Sequence, residues 1–320
     1  MSDRPVAPAE GARFSLQLMY AAAKLYYLQD STQAEIADQL GTSRATVSRL
    51  LSEARRLGIV RIEVVEPGVA DVTGLAERTA AALGLDAVHL SAFPAGGALG
   101  TALAPAVSRA LQQVGLVPGD VLLVSSGRTI YEVAQVAGGL PELPGVLVAP
   151  TVGGQDEPEP WYQTNELTRL VAAGIGGSPV FLYAPALPGP ELHERLLDDP
   201  SIRRVTELWT RAKCALLGVG APPPLRGSLP SFVDAGAVGD AAGDVATRFY
   251  DRDGASVDFP GADRLVATPL DVLKAIPVAM AVAVGGEKVP GIIAGARAGY
   301  FNHLATDPPT ALAALAAART

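Results

Sequence analysis

Residues 32–57 read TQAEIADQLGTSRATVSRLLSEARRL, and that stretch decides the architecture of the N-terminal region. Thr32, followed three residues later by Glu35, makes a capping box: the hydroxyl caps a helix start and the carboxylate reaches back to the cap. The helix so opened carries Ile36 and Leu40 on its apolar face, with small Ala37 where a second helix must come close. Gly41 stops it, because the turn that follows needs a positive φ. Ser43 caps a second helix, whose apolar face is expected to bury Val47, Leu50, Leu51 and Leu57. Two short helices joined by a glycine turn form a helix-turn-helix, whose second helix lies in the DNA major groove.

The polar face of the second helix suits that task. Arg44, Thr46, Ser48 and Arg49 project near its N-terminal half, and Arg55, Arg56 and Arg61 follow. From Gly41 to Arg61 the only acid is Glu53. Arginine bridges the two guanine acceptors, while hydroxyls take phosphate. The expected DNA contacts are Thr32, Gln33, Thr42, Ser43, Arg44, Thr46, Ser48, Arg49 and Arg55. A basic helix alone also reads as a solvated surface. The capping box, the placed glycine and the apolar pattern together favour double-stranded operator DNA as the partner.

At 320 residues and 49% hydrophobic content, the chain has length for two domains and apolar material for a sizeable core. The net charge of −8 argues against non-specific coating of nucleic acid. Before Val64, eight Lys and Arg face seven Asp and Glu, so that segment carries +1 and the remainder −9. A basic face confined to one end suits a protein that meets DNA there alone. Cys214 is the only cysteine, which excludes an intrachain disulfide and a cysteine-rich zinc site. Its apolar neighbours predict a buried strand thiol. The first residues lack the apolar core of a signal peptide, and the run Ile276–Val284 is too short to span a bilayer. The expectation is a cytoplasmic protein with no membrane partner.

Residues 1–12 read as a disordered leader, 13–66 as the DNA-binding domain and 67–320 as an effector domain. Arg13–Leu28 has helical periodicity, and Gly58–Val64 alternates apolar and charged residues like a half-buried strand. Glu66-Pro67-Gly68 marks the boundary. Beyond Thr73 the rhythm becomes strand, loop, helix. Strands are expected at Ala87–Phe93, Asp120–Ser125, Val146–Val152, Val180–Ala186, Ala215–Val219, Leu265–Ala267 and Ala279–Val284. Helices are expected at Leu99–Val114, Arg128–Ala137 and Asp307–Ala318. Short Val- and Leu-rich runs separated by helices predict an α/β domain of three layers, a mostly parallel sheet covered on both faces.

In such sheets ligands bind where strands end and loops enter helices. Ser125-Ser126-Gly127-Arg128-Thr129 follows an expected strand and offers hydroxyls, a permissive glycine and a helix start to an anion; it reads equally as a plain Ser-capped turn. Val284-Gly285-Gly286-Glu287-Lys288 follows another, and Lys288 there neutralises a phosphate or carboxylate unless it simply faces solvent. Pro150-Thr151-Val152-Gly153-Gly154, with Gln163 and Asn165 downstream, is a third candidate. In Gly236-Ala237-Val238-Gly239-Asp240 the carboxylate either accepts bonds from sugar hydroxyls or serves as a turn residue.

These residues resemble the SorC family of bacterial transcriptional regulators from about Ala21 to Ala318. The resemblance rests on Ala22–Tyr27, Thr32–Ala37 and Ser43–Leu51 in the first region. In the second it rests on Ser125–Thr129, Leu182–Ala186, Gly236–Asp240 and Ala283–Lys288. It implies a helix-turn-helix joined to a domain similar to sugar-phosphate isomerases and CoA-transferases. It also implies a sugar or sugar-phosphate effector and assembly into homodimers or homotetramers, with no cofactor. The effector positions it implies are Ser125, Ser126, Gly127, Arg128, Thr129, Gln163, Asp240 and Lys288. Where some members carry Arg or Lys just before the Gly153-Gly154 pair, this chain has Val152.

The competing reading is a sugar-phosphate isomerase-like enzyme with an accessory DNA-binding head. Against it, the chain has no Gly-x-Ser-x-Gly elbow and no clustered metal ligands. His89, His193 and His303 fall in different elements and are expected to be packing or surface residues. Asp251-Arg252-Asp253-Gly254 lacks the remaining spacing of a calcium loop and reads as a polar turn. No catalytic residue and no metal site are expected.

Overall fold

The computed structural model describes residues 14–28, 31–60, 72–92, 94–95, 99–226 and 229–319. The chain divides into two compact units, Met1–Pro67 and Gly68–Thr320.

The first unit contains α1 (Leu16–Leu28), α2 (Gln33–Gln39) and α3 (Arg44–Arg56). Its capping box is formed: Thr32 Oγ1 accepts from Glu35 N–H, and Thr32 N–H donates to Glu35 Oε2 at 2.8 Å. Gly41 turns the chain at φ +61°. Ser43 Oγ caps α3 by accepting from Thr46 N–H at 3.1 Å. Met19 and Ala22 of α1, Ile36 and Ala37 of α2, and Val47, Leu50, Leu51 and Ala54 of α3 share one core. Leu57 departs from expectation: it ends α3 and is 39% exposed, because Gly58 at φ +74° turns the chain away from the helix. That turn also displaces the start of the expected strand; Ile59 and Val60 lie half-buried against the helical core, and 61–64 fall outside the described residues, as does the leader.

The second unit runs α4 (Val72–Leu83), β1 (Ala87–Leu90), α5 (Leu99–Val114), β2 (Val121–Val124), α6 (Arg128–Ala134) and β3 (Leu147–Pro150). It continues through α7 (Thr164–Ile175), β4 (Ser178–Pro179), α8 (Pro190–Asp198), α9 (Pro200–Trp209) and β5 (Ala212–Gly218). After β6 (Gly243–Val245), β7 (Arg248–Tyr250) and β8 (Ser256–Val257) come α10 (Leu270–Ala275) and β9 (Val278–Val282). The unit closes with α11 (Val289–Arg297), β10 (His303–Thr306) and α12 (Pro308–Ala317). Seven strands form a parallel sheet in the order β1-β10-β9-β5-β2-β3-β4. Alternate residues feed opposite cores: Val121 and Leu123 of β2 pack on one side, Leu122 and Val124 on the other. This is the three-layer arrangement that short, wholly apolar strands demand.

Two expected strands do not form as such. Val180–Ala186 follows Pro179 and contains Pro185, which lack the N–H a ladder needs. Asn165 stands in for a neighbouring strand, its side chain bonding both the N–H and the C=O of Leu182 at 3.0 and 3.1 Å. Leu265–Ala267 contributes only the bridge from Ala267 to Val152. The antiparallel sheet β6-β7-β8 and strand β10 are additions, built of segments too short to show a clear period. Cys214 is buried in β5, and burial pushes its thiol up to about 12. His89 and His303, in different elements as expected, lie on the adjacent strands β1 and β10, ring nitrogens 3.1 Å apart.

The strand order changes direction between β2 and β5. From β2 the chain proceeds to β3 and β4 on one side; from β5 it proceeds to β9 and β10 on the other. A crevice opens above the carboxyl ends of two such strands.

Candidate functional site

A cleft of about 380 Å³ occupies that crevice. Its floor is tied together by Ser125, whose Oγ accepts from Gly218 N–H at 2.7 Å and donates to Ser126 O at 2.9 Å, joining the loops after β2 and β5. Ser126, Gly127, Arg128 and Thr129 line one wall. Gln155, Trp161 and Tyr162 come from the segment between β3 and α7, Arg226 from the loop after β5, Asp244 and Thr247 from β6 and the turn after it, and Lys288 from the loop after β9.

The polar groups fall into two pairs. Lys288 Nζ donates to Thr129 Oγ1 at 3.5 Å, and among the described residues no carboxylate lies within ion-pair distance of it. Burial pulls the Lys288 pKa below its ordinary value, with Arg226 and Arg128 adding to the effect and Glu287 and Asp244 opposing it. An incoming anion would relieve that penalty. Arg226 and Asp244 form the second pair, Nη1 to Oδ1 at 2.7 Å, both largely buried. Burial opposes the Arg226 charge, but Asp244 and then Tyr162 outweigh it, and the guanidinium pKa rises. Gly220 makes room for this pair, since a Cβ there would overlap the Asp244 carboxylate. Arg128 lies at the rim, paired with Glu132 at 2.6 Å and 5.7 Å over the Trp161 ring.

Of the eight expected effector residues, five line this cleft: Ser126, Gly127, Arg128, Thr129 and Lys288. The Gly127 N–H is already engaged by the Trp161 carbonyl at 2.9 Å, so that amide is not presented to a ligand. Ser125 lies beneath the surface with its hydroxyl committed to the two loops. Gln163 is exposed, donating to the Glu157 carbonyl at 2.5 Å, and lies outside the cleft. Asp240 is exposed on a separate recess with Pro222, Asp251 and Arg252. The carboxylates that line the cleft belong instead to Asp244 and Glu287. Residues 237–240 and 241–244 both read Ala-x-Gly-Asp, and only the second copy enters a strand beside the crevice. Gln155, directly after the Gly153-Gly154 pair, and Arg226, in a proline-rich loop, were not singled out; Arg226 carries no local motif. Val152 is fully buried and presents nothing to the cleft. Asp251 Oδ1 accepts from Asp253 and Ala255 N–H, making the 251–254 segment a polar turn. Among the described residues no three potential metal ligands cluster.

In the first unit the nine expected DNA contacts lie on α2 and its N-cap Thr32, the turn and α3. Arg44, Ser48, Arg49 and Arg55 are exposed, while Val47, Leu50, Leu51 and Ala54 face the core. Arg56 is held by Glu53 in an ion pair at 2.5 Å. Among the described residues, Arg44 and Arg49 take part in no ion pair, so their guanidinium groups are available to phosphate or base edges.

The fold and the cleft define a helix-turn-helix regulator joined to a sugar-binding domain. A Crp-like helix-turn-helix family model matches residues 13–78, and the Sugar-bind family, a sugar-binding domain, matches residues 54–316. The chain belongs to the SorC family of transcriptional regulators. It is 30% identical over 315 residues to the sorbitol operon regulator of Klebsiella pneumoniae, covering 92% of this chain and 96% of that one. The deoxyribonucleoside regulator of Bacillus subtilis is 30% identical over 310 residues, covering 93% and 96%. The crystal structure of the full-length Klebsiella regulator superposes with a TM-score of 0.68 at 28% identity, covering 93% of this chain and 98% of that chain. Among the described residues no helix is long and apolar enough to cross a membrane.

Proposed function

We propose that the protein is a transcriptional regulator of a carbohydrate-utilisation operon, controlled by a phosphorylated sugar bound in the cleft between β2 and β5. The observation that carries this reading is the pairing of Lys288 with Thr129, a half-buried cation and a hydroxyl in a cleft that Ser126 and Asp244 also line. The cation and hydroxyls suit a phosphate, and a carboxylate suits sugar hydroxyls. Two copies would present α3 to two half-sites about one helical turn apart, or a multiple of it. The sugar phosphate would favour one arrangement of the copies, and only a ligand with different affinity for the two arrangements alters operator affinity.

Calorimetric titration of the full chain with sugar phosphates and the corresponding free sugars tests the reading. Binding that requires the phosphate and is lost in Lys288→Ala is expected. Equal binding of phosphorylated and free sugars would remove the phosphate from the account. Turnover of any of these compounds would move the protein into the isomerase-like class.

A further inference from the structure

We infer that Gln155, held by Ser126 and Thr247, forms with them a hydroxyl-reading subsite that selects an effector with a free sugar hydroxyl in addition to its phosphate. The inference rests on the reading of the cleft as a sugar-phosphate site and concerns which groups within it discriminate.

Gln155 is 5% exposed, yet its Oε1 has no hydrogen-bond partner. A buried acceptor left unpaired is costly, and such atoms mark places where a partner arrives. The amide nitrogen is fully used: it donates to Ser126 Oγ at 3.1 Å and to Thr247 Oγ1 at 3.4 Å. All three side chains line the cleft. This arrangement sets the polarity of the wall. Both hydroxyls accept from Gln155, so their own O–H groups donate elsewhere, while Oε1 can only accept. Two donors suit a phosphate or carbonyl oxygen. A lone acceptor suits a hydroxyl, which the dianion of a phosphate monoester does not possess.

Thr247 supplies an independent observation. Val245 pairs with Arg248, so Ala246 and Thr247 form a two-residue turn between β6 and β7, with φ of +49° and +62°. A hairpin turn with both central φ positive favours Asn-Gly, and a β-branched residue there is strained. Strain of this kind persists where the side chain is needed. What Thr247 provides that glycine would not is the hydroxyl facing Gln155 in the cleft.

The test titrates the full chain with methyl phosphate, ribose 5-phosphate, glucose 6-phosphate and fructose 6-phosphate. In the wild type at least one sugar phosphate is expected to bind about tenfold or more tighter than methyl phosphate, since a buried group built to bond a hydroxyl penalises its absence. Gln155→Leu and Thr247→Gly should each cut that ratio to within about threefold. Thr247→Gly should do so while raising the melting temperature, which separates loss of the hydroxyl from damage to the fold. An unchanged ratio in both variants overturns the inference. A wild type that binds sugar phosphates no tighter than methyl phosphate also overturns it, but leaves the anion site standing. A wild type that binds neither removes the cleft reading itself, and the subsite with it.

Discussion

The two polar surfaces of this molecule are built in opposite ways. The face proposed to read DNA comes from one contiguous stretch, with Arg44 and Arg49 exposed on a short helix whose far side is wholly apolar. The cleft proposed to take the effector gathers residues from 126 to 288, and its inner charges are half-buried and held by neighbours, as in Arg226 with Asp244 and Lys288 with Thr129. Exposed cations give affinity that salt screens and that many sequences share. Buried groups give selectivity, because every unmatched partner is penalised. The two regions should therefore fail differently when perturbed.

The largest effect is expected where a buried pair is broken. Arg226→Ala leaves Asp244 buried without its cation, which should cost about 3 kcal/mol of effector-domain stability by denaturant titration. An unchanged unfolding midpoint would mean that the pair is solvated. On the other region, Arg44→Ala and Arg49→Ala should leave the unfolding midpoint untouched and weaken operator binding about tenfold to a hundredfold. Raising salt should weaken operator binding steeply and sugar-phosphate binding far less. Similar slopes for the two would erase the distinction.

Smaller effects sharpen it. Ser43→Ala removes the cap of α3 and should cost about 1 kcal/mol in the helix-turn-helix unit alone. His89 gives the effector domain a pH dependence of defined sign. Burial, then His303 and Arg109, hold its pKa at about 4, below the ordinary value of 6.5. The unfolded chain therefore binds the proton more readily, so the contribution is intact above the ordinary value and is lost as pH falls toward 4. With allowance for partial exposure, about 1 kcal/mol should disappear across that window, and His89→Asn should reduce the loss to the share of His303, whose pKa burial also lowers.

The same contrast explains what could be read from the chain. The helix-turn-helix was legible because its determinants are local: a cap, a carboxylate three residues on, a glycine and an apolar stripe. Leu57 was misplaced because its exposure depends on the turn at Gly58, beyond the helical period. The parallel sheet was legible from its apolar runs, whereas Val180–Ala186 resembled them and is instead held by a side chain from α7. Ser126–Thr129 follow β2 closely and Lys288 ends the loop between β9 and α11, so both could be found by position. Asp244 was hidden behind a tetrapeptide of the same Ala-x-Gly-Asp pattern, and only the crevice singles out the second copy. Arg226 and Gln155 gain their meaning from partners 18 and 92 residues away, which no local pattern reveals.

The most direct test of the division of labour is operator affinity measured with and without sugar phosphate, in the wild type and in Lys288→Ala, on the DNA upstream of the protein's own operon. At least one sugar phosphate should change wild-type affinity by about fivefold or more, while Lys288→Ala keeps the ligand-free affinity and loses the response. A response that survives intact in Lys288→Ala would contradict the account.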